Sequence, residues 1–231
     1  MAKKSGYGQF CPVAKAAEIV AERWTLLVLR ELILGSRRFN ELRRGVPLMS
    51  PTLLSQRLRE LEDSGVVERK SGTDERSVEY HLTQAGQELG PIIMSLGQWG
   101  RRWVRSRLKA QDYDPALLMW DIRRRIDSGR LPVSSRTVVE FNLEGSARQL
   151  RRWWLVCEKG EIDLCLKDPG YPVQLQVLGD VRTLADVWLG YLSMDQAIAS
   201  RKLLFEGPRQ LASDFRKSLK LSSLVTGAAK A

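Results

Sequence analysis

Residues 39–83, FNELRRGVPLMSPTLLSQRLRELEDSGVVERKSGTDERSVEYHLT, have the pattern of two short helices followed by a β-hairpin. The second helix is predicted to begin at Pro51, because the oxygen of Ser50 can accept a free backbone N–H and the fixed φ of proline suits the first helical position. It should end near residue 64, since Gly65 is the residue type that closes helices in the left-handed conformation. This order predicts a helix-turn-helix followed by a β-wing.

The predicted helix 51–64 has one apolar and one polar face. Leu54, Leu58 and Leu61 recur at helical spacing and should pack on the domain core. The opposite face is polar, which is the arrangement that a recognition helix needs to present hydrogen-bonding groups to base edges in the major groove. Its residues are Thr52, Ser55, Gln56 and Arg59.

The wing is predicted from VVERK (66–70) and SVEYHL (77–82), which alternate apolar and polar residues around a turn at Gly72. Its cations would meet the phosphate backbone or the minor groove, although a solvated basic hairpin would look the same. Arginines around the first helix can also contact phosphates. The predicted DNA contacts are Arg38, Arg43, Ser50, Thr52, Ser55, Gln56, Arg59, Arg69, Lys70 and Arg76.

The charge of the 231-residue chain is unevenly distributed. Residues 1–110 carry 19 lysines and arginines against 12 aspartates and glutamates, a balance of +7, whereas residues 111–231 carry 18 against 15, a balance of +3. The length and this asymmetry predict a DNA-binding and dimerisation domain at 1–110 and a second domain at 111–231. We expect a cytoplasmic protein without membrane contact, because neither a signal peptide nor a long apolar run is visible.

The residue types that enzymes and metal sites need are scarce. His81 is the single histidine, and the cysteines at 11, 157 and 165 lack the spacing of a metal site or a disulfide framework. If Lys159 and Gly160 form a two-residue turn, Cys157 and Cys165 point to opposite sheet faces. The sequence also lacks the glycine-rich motifs of nucleotide cofactors. We therefore expect no catalysis, no metal and no cofactor.

Two helices are predicted after the wing, one from Thr83 to Gly90 and a longer one from Pro91 to about residue 108. The longer helix has an apolar, aromatic stripe at spacings of three and four. Aromatic anchors are enriched in subunit interfaces, so the stripe predicts a homodimer that would bind a pseudo-palindromic operator. Packing within one chain is the alternative. The stripe consists of Ile92, Leu96, Trp99 and Trp103.

These residues resemble the HxlR family of winged-helix transcriptional regulators, which are related to the MarR type. The resemblance rests on CPVAKAAEIVAERWTLLVLRELILGSRRFNELRRGVPLMSPTLLSQRLRELEDSGVVERK from Cys11 and on VEYHLTQAGQELGPIIMSLGQWG after the wing turn. It implies a homodimeric DNA-binding regulator, usually a repressor. It also makes Cys11 a candidate redox sensor, because free N–H groups at the helix start before Pro12 can stabilise a thiolate. An inert cysteine is the alternative.

The second half is predicted to be an α+β domain. A helix should follow Asp114, and four segments around residues 139–143, 153–157, 162–166 and 173–177 alternate as an antiparallel sheet with one buried face would. Helices should cover that face, one of them starting at Thr183, and KLLFEG (202–207) looks like an edge strand. The order is similar to that of sterol-carrier-protein-like domains, which implies an apolar ligand tunnel. Candidate liners, which would serve equally as ordinary core, are Phe141, Trp153, Leu175, Trp188, Tyr191 and Leu192.

Two functions from different classes follow from this sequence. The first is a transcriptional regulator, expected to be a repressor, that responds to a hydrophobic small molecule or to thiol modification. The second is a carrier of lipids or other hydrophobic molecules in which the winged helix serves only for dimerisation. The polar face of helix 51–64 favours the regulator.

Overall fold

The computed structural model describes residues 6–72, 77–131 and 136–223. The chain divides into two compact units, and the division falls between Gly97 and Gln98. The first unit is a helix-turn-helix with a two-stranded wing, and the second is a five-stranded sheet with helices. Both halves of the predicted α+β fold class are confirmed.

The elements of the first unit follow the predicted order. The helices α1 to α4 precede the wing strands β1 and β2, and the helix α5 begins in this unit and ends beyond the division at Gly97. Their bounds are α1 Pro12–Val20, α2 Thr25–Ile33, α3 Phe39–Gly45, α4 Pro51–Asp63, β1 Val67–Ser71, β2 Val78–Leu82 and α5 Gln84–Trp103.

Helix α4 has the capping and packing that its sequence predicts. The Ser50 hydroxyl oxygen accepts a hydrogen bond from the Leu53 N–H at 3.2 Å, and Pro51 is the first helical residue. Gly65 follows the helix with φ of 71°. The side chains of Leu54 and Leu58 are 0% and 1% exposed. They pack in a core to which α2, α3 and the wing also contribute residues. One face of α4 is thus committed to packing and the other is left to solvent.

A buried carboxylate ties α3 to α2. Glu31 is fully buried and accepts hydrogen bonds from Nε and Nη2 of Arg30, at 3.1 and 2.8 Å. The same Nη2 donates to the carbonyl of Gly45, the last residue of α3, at 2.8 Å. A Cβ at position 45 would lie 1.9 Å from Cδ of Glu31, so only glycine lets the two helices approach this closely.

The prediction of two separate helices after the wing is wrong. Helix α5 is continuous through Pro91. Proline removes one helical hydrogen bond and normally crowds the Cβ of the residue before it, but that residue is Gly90, which has no Cβ. Burial of Ile93 and Met94 offsets the lost bond. The helix starts where predicted, since the Thr83 hydroxyl accepts from the Gly86 N–H at 3.2 Å.

The second unit contains a mixed sheet in the order β5-β4-β3-β6-β7, with β3 at its centre. Strand β6 pairs with β3 in parallel, and the remaining pairs are antiparallel, so the expectation of a wholly antiparallel sheet is corrected. Residue alternation reports which face is buried but not strand direction. The bounds are α6 Pro115–Arg125, β3 Thr137–Glu144, β4 Arg152–Glu158, β5 Glu161–Cys165, β6 Leu175–Asp180, α7 Val181–Trp188, α8 Met194–Ala199, β7 Leu203–Glu206 and α9 Arg209–Ser218.

Helices cover one face of this sheet, as predicted. Phe141 of β3 meets Phe215 of α9 edge to face at a centroid distance of 6.0 Å, within a core that α6 and α7 also line. Asp180 caps α7 by accepting from the Thr183 N–H and hydroxyl, at 2.8 and 2.6 Å, so the helix begins earlier than the predicted Thr183. Helix α8, which starts from the capping residue Ser193, was not predicted.

The register of β4 and β5 is the predicted one. Cys157 pairs with Ile162, and Trp154 pairs with Cys165, which places the two thiols on opposite faces. Lys159 and Gly160 form the turn with φ of 51° and 85°.

Gly45→Ala is expected to destabilise the first unit by about 1–3 kcal/mol, because the added methyl overpacks against a carboxylate that cannot leave its partners. Chemical denaturation followed by circular dichroism measures the loss. The matched control is Gly100→Ala in α5, where a Cβ would make only an ordinary van der Waals contact, 3.6 Å from Cγ2 of Val104, and helix stability should be unchanged or rise by about 0.5–1 kcal/mol. Equal stability of the two variants would contradict the close approach of α2 and α3.

Candidate nucleic-acid interface

The solvent face of α4 carries the side chains that the sequence predicts for base contacts. Thr52 and Arg59 are exposed, and Ser55 is half-buried. Within the described ranges, Arg59 forms neither a hydrogen bond nor an ion pair, so all of its guanidinium donors are available to a ligand. A free arginine on an exposed helix face can bind the O6 and N7 atoms of guanine as a bidentate donor.

Two neighbouring side chains of α4 already have partners within the chain. Gln56 donates through Nε2 to Oε1 of Glu60 at 3.0 Å, so this predicted base contact would have to exchange Glu60 for a base. Arg57, by contrast, is buried and pairs with Glu60 and with Glu22 of the region between α1 and α2. Arg57 therefore braces α4 against the domain, and Arg59 is the arginine of this helix that faces solvent.

Ser50 and Arg38 have structural partners at the edge of the candidate interface. The Ser50 hydroxyl oxygen is used by the α4 cap, although its O–H can still donate. Arg38 pairs with Glu79 of β2 at 3.6 Å, and these two residues also form an isolated β-bridge that joins the start of α3 to the wing. The Arg43 side chain is exposed on α3 and forms no hydrogen bond or ion pair with the described residues.

The wing presents cations beside α4. Arg69 is exposed and unpaired within the described part of the chain, whereas Lys70 pairs with Glu68 at 2.7 Å in a solvent-accessible position. Such an exposed pair is worth little and exchanges readily for a phosphate. Arg76 lies outside the described residues. His81 lies in β2 of the wing, and its Nε2 forms a hydrogen bond of 3.1 Å with Glu79.

The apolar stripe on α5 is exposed to solvent. The exposed fractions are 62% for Ile92, 47% for Leu96, 56% for Trp99 and 65% for Trp103. The stripe is thus an exposed apolar surface of α5, and its role in a homodimer stays a prediction. Near α1, Phe10 and Val13 are 99% and 75% exposed, a feature that sequence analysis missed because the short α1 showed no such stripe. Apolar surface of this kind is typical of a subunit interface.

The three cysteines differ in accessibility. Burial raises the pKa of the Cys157 thiol to about 11, and burial followed by the charge of Asp163 raises the pKa of Cys165. Both thiols are therefore held in the unreactive protonated form. Cys11 precedes α1 as its N-cap residue, is partly exposed, and its side chain makes no cap hydrogen bond.

The predicted ligand pocket coincides with the core of the second unit. Phe141, Trp153, Leu175 and Trp188 are buried in one cluster, and Leu192 packs against it. Tyr191 lies apart from this cluster and donates its hydroxyl to the carbonyl of Arg101 at 2.9 Å.

Several sequence expectations concern metals and membranes. Across residues 6–72, 77–131 and 136–223, no group of three or more His, Cys, Asp or Glu side chains is arranged to hold a metal ion. Within the same ranges, no helix combines the length and the apolar character of a membrane span.

The chain is similar to known regulators. The profile of the HxlR-like helix-turn-helix family matches residues 19–108, and that of the SCP-2 sterol transfer family matches residues 124–220. The uncharacterised HTH-type transcriptional regulator YvaP of Bacillus subtilis is 39% identical over 99 residues, which are 42% of this chain and 91% of that protein. Rv3095 of Mycobacterium tuberculosis, described in the same words, is 45% identical over 93 residues, which are 40% of this chain and 58% of that protein.

Solved structures of regulators are also similar. The reduced form of the redox regulator HypR is 34% identical, with coverage of 42% of this chain and 100% of that chain and a TM-score of 0.39. The reduced form of the transcriptional regulator YodB from B. subtilis is 29% identical, with coverage of 42% and 98% and a TM-score of 0.37. From the family profile and from its relatives, the chain belongs to the HxlR family of helix-turn-helix transcriptional regulators, related to the MarR type, and it carries a second domain of the sterol-carrier type.

Proposed function

We propose that the chain is a cytoplasmic, homodimeric repressor that binds a pseudo-palindromic operator through α4 and the wing and is released by an effector. The two recognition helices would enter successive major grooves on one side of the duplex, about one helical turn apart. The observation that carries the proposal is the exposed Arg59 side chain, which has no partner among the described residues, on a helix whose opposite face is buried.

Five of the ten predicted DNA contacts divide into two groups by their surroundings. Thr52, Ser55 and Arg59 would read bases, because they project from the solvent face of the recognition helix. Arg43 and Arg69 would bind phosphates, since they flank that helix and carry no internal ion pair in the described ranges. The first group would set sequence preference, and the second would set affinity and its salt dependence.

A second copy of this chain is the proposed occupant of the α5 stripe. Its four side chains lie at i, i+4, i+7 and i+11, a single face of one helix, and each is about half exposed or more. Isologous packing of two such stripes about a two-fold axis would remove this apolar surface from water. Phe10 and Val13 would add to the same interface.

Two effector classes are compatible with the second half of the proposal. A hydrophobic small molecule would enter between the core face of the sheet and α7, and Trp188 and Leu192 would rearrange to admit it. Alternatively, an oxidant or electrophile would modify Cys11, a partly exposed thiol at the N-cap of α1. Either event would act by favouring one arrangement of the two recognition helices.

Contacts of Tyr191 within the second unit would transmit the binding of a hydrophobic effector to α5. The Tyr191 hydroxyl donates to the Arg101 carbonyl near the end of α5, and the Arg105 guanidinium stacks over the Tyr191 ring at 4.1 Å. Tyr191 follows α7 by three residues, so a ligand that displaced Trp188 would also disturb this contact with the dimerisation helix.

Arg59→Ala is expected to lower affinity for the cognate operator by about 1–3 kcal/mol and to reduce the preference for cognate over scrambled DNA, because a bidentate base contact is lost. The operator is selected from a random duplex library, and affinity is measured by fluorescence anisotropy at several salt concentrations. Arg69→Ala is the matched control, with equal losses on both sequences and a flatter salt slope. If Arg59→Ala binds cognate and scrambled DNA as tightly as the wild type does, the assignment of α4 to the major groove is wrong.

The paired change Trp99→Gln and Trp103→Gln is expected to give monomers in sedimentation velocity and to weaken operator binding, since each half-site would then be bound separately. Leu204→Gln is the control, because Leu204 is 42% exposed on β7 and lies outside the stripe. A dimer that survives the paired change would refute the assignment of the interface to α5.

One set of operator titrations distinguishes the hydrophobic effector from the thiol-modifying effector. A fatty acid should change operator affinity in the wild type and in Cys11→Ser alike, by a coupling of about 1–3 kcal/mol if the sterol-carrier-like domain is the sensor. Hypochlorite or an aldehyde should act on the wild type and on the control Cys165→Ser but not on Cys11→Ser. A thiol response retained by Cys11→Ser excludes Cys11, and the lack of any fatty-acid effect excludes fatty acids as the effector.

A further inference from the structure

The sheet of the second unit has a polar recess on the face opposite its core. Alternation along β3 turns Glu140 and Asn142 away from the helices, and the neighbouring strands add Gln176 of β6 and Arg152 of β4 in register. Together with Arg148 and Arg151 from the connection between β3 and β4, they enclose a cavity of about 490 Å³. That volume lies within the range of small-molecule sites, roughly 300–1,000 Å³.

The floor of this recess is a buried carboxylate. Glu140 is 3% exposed at the centre of the sheet, and its oxygens accept from Arg152 Nε at 2.5 Å and from Gln176 Nε2 at 3.0 Å. Removing a carboxylate from water costs several kcal/mol unless charged and hydrogen-bonded partners compensate it. Glu140 raises the pKa of Arg152 and holds that side chain at the recess.

The walls of the recess carry more positive charge than the floor neutralises. Arg148 is exposed and makes no hydrogen bond or ion pair with any residue in the described ranges. Arg151 donates to Asn142 Oδ1 at 2.9 Å and to Glu144 at 3.0 Å, but the Glu144 side chain is 70% exposed, so that pair is screened by water. Three guanidinium groups thus face one buried carboxylate.

The same face contains a hydrogen-bond donor without a partner. Trp154, the cross-strand neighbour of Glu140, is 5% exposed, and its Nε1 donates to no atom of the described chain. Enclosed donors are rarely left unpaired unless a ligand or water satisfies them. The Arg152 guanidinium lies 5.2 Å from the centroid of the Trp154 ring, which places this donor beside the recess on the same side of the sheet.

We propose that this recess binds a small organic anion that carries carboxylate or phosphate groups. Planar guanidinium groups match both oxyanions through paired N–H donors. The Glu140 and Asn142 oxygens can in addition accept from a hydroxyl of the ligand. A DNA backbone would gain nothing from a buried carboxylate floor, so a compact anion fits better than a polymer. The proposal does not depend on the apolar effector, which would occupy the opposite face of the sheet.

The test is isothermal titration calorimetry of the full chain with citrate and, separately, with inorganic phosphate. At least one of them should bind saturably, and the source of the oxyanion is read from which one does. Arg148→Gln combined with Arg151→Gln should weaken that binding by at least about tenfold, since charge-assisted hydrogen bonds are lost. The control is Arg209→Gln combined with Lys217→Gln, which removes the same charge from the exposed surface of α9 and should bind as the wild type does.

A second variant distinguishes a binding role from a general charge effect. Glu140→Gln should tighten binding of the same anion several-fold, because a negative charge leaves the floor and Arg152 is released toward the ligand. Binding that is non-saturable in the wild type, or equal in the wild type and the double arginine variant, overturns the proposal. So does a double variant that retains citrate and phosphate binding but loses affinity for duplex DNA, since the surface would then contact nucleic acid.

Discussion

The placement of the recognition helix depends on the buried ion pair between Glu31 and Arg30. Arg30 spans from that carboxylate to the carbonyl at the end of α3, and Gly45 supplies the space for the approach. Val46 and Met49 of the following turn are buried in the same core, and their burial fixes the position of the start of α4. A buried charge whose partner is removed is strongly destabilising, which makes this arrangement intolerant of change. The solvent face of α4 is correspondingly free to vary for sequence recognition.

The second unit uses the two faces of its central strand for different purposes. One face of β3 contributes Phe141 to an apolar core beneath the helices, and the other contributes Glu140 to an arginine-lined recess. The two proposed ligands would therefore lie on opposite faces of the same strand. Within this unit, the Tyr191 hydroxyl donates to the carbonyl of Arg101 near the C-terminal end of α5.

The sequence predicts the helix-turn-helix closely because its signals are local. Ser50, Pro51 and Gly65 determine the ends of α4 through capping and backbone preference, and both ends are confirmed. Pro91 misled the prediction, since its usual effect was cancelled by the glycine before it. The parallel pairing of β6 and the recess could not be predicted, because strand direction and the meeting of Arg148 with Glu140 depend on non-local topology. The DNA contacts and the dimer interface remain predictions.

Hydroxyl-radical footprinting of the selected operator tests the central claim most directly, that two copies of α4 enter successive major grooves of one duplex. The account predicts two protected segments related by a two-fold axis, with centres about one helical turn apart on the same face of the DNA. Guanines within those segments should lose their protection from N7 methylation when Arg59 is replaced by alanine. A single protected segment, or guanines whose N7 methylation is as fast as in free DNA, would contradict the account.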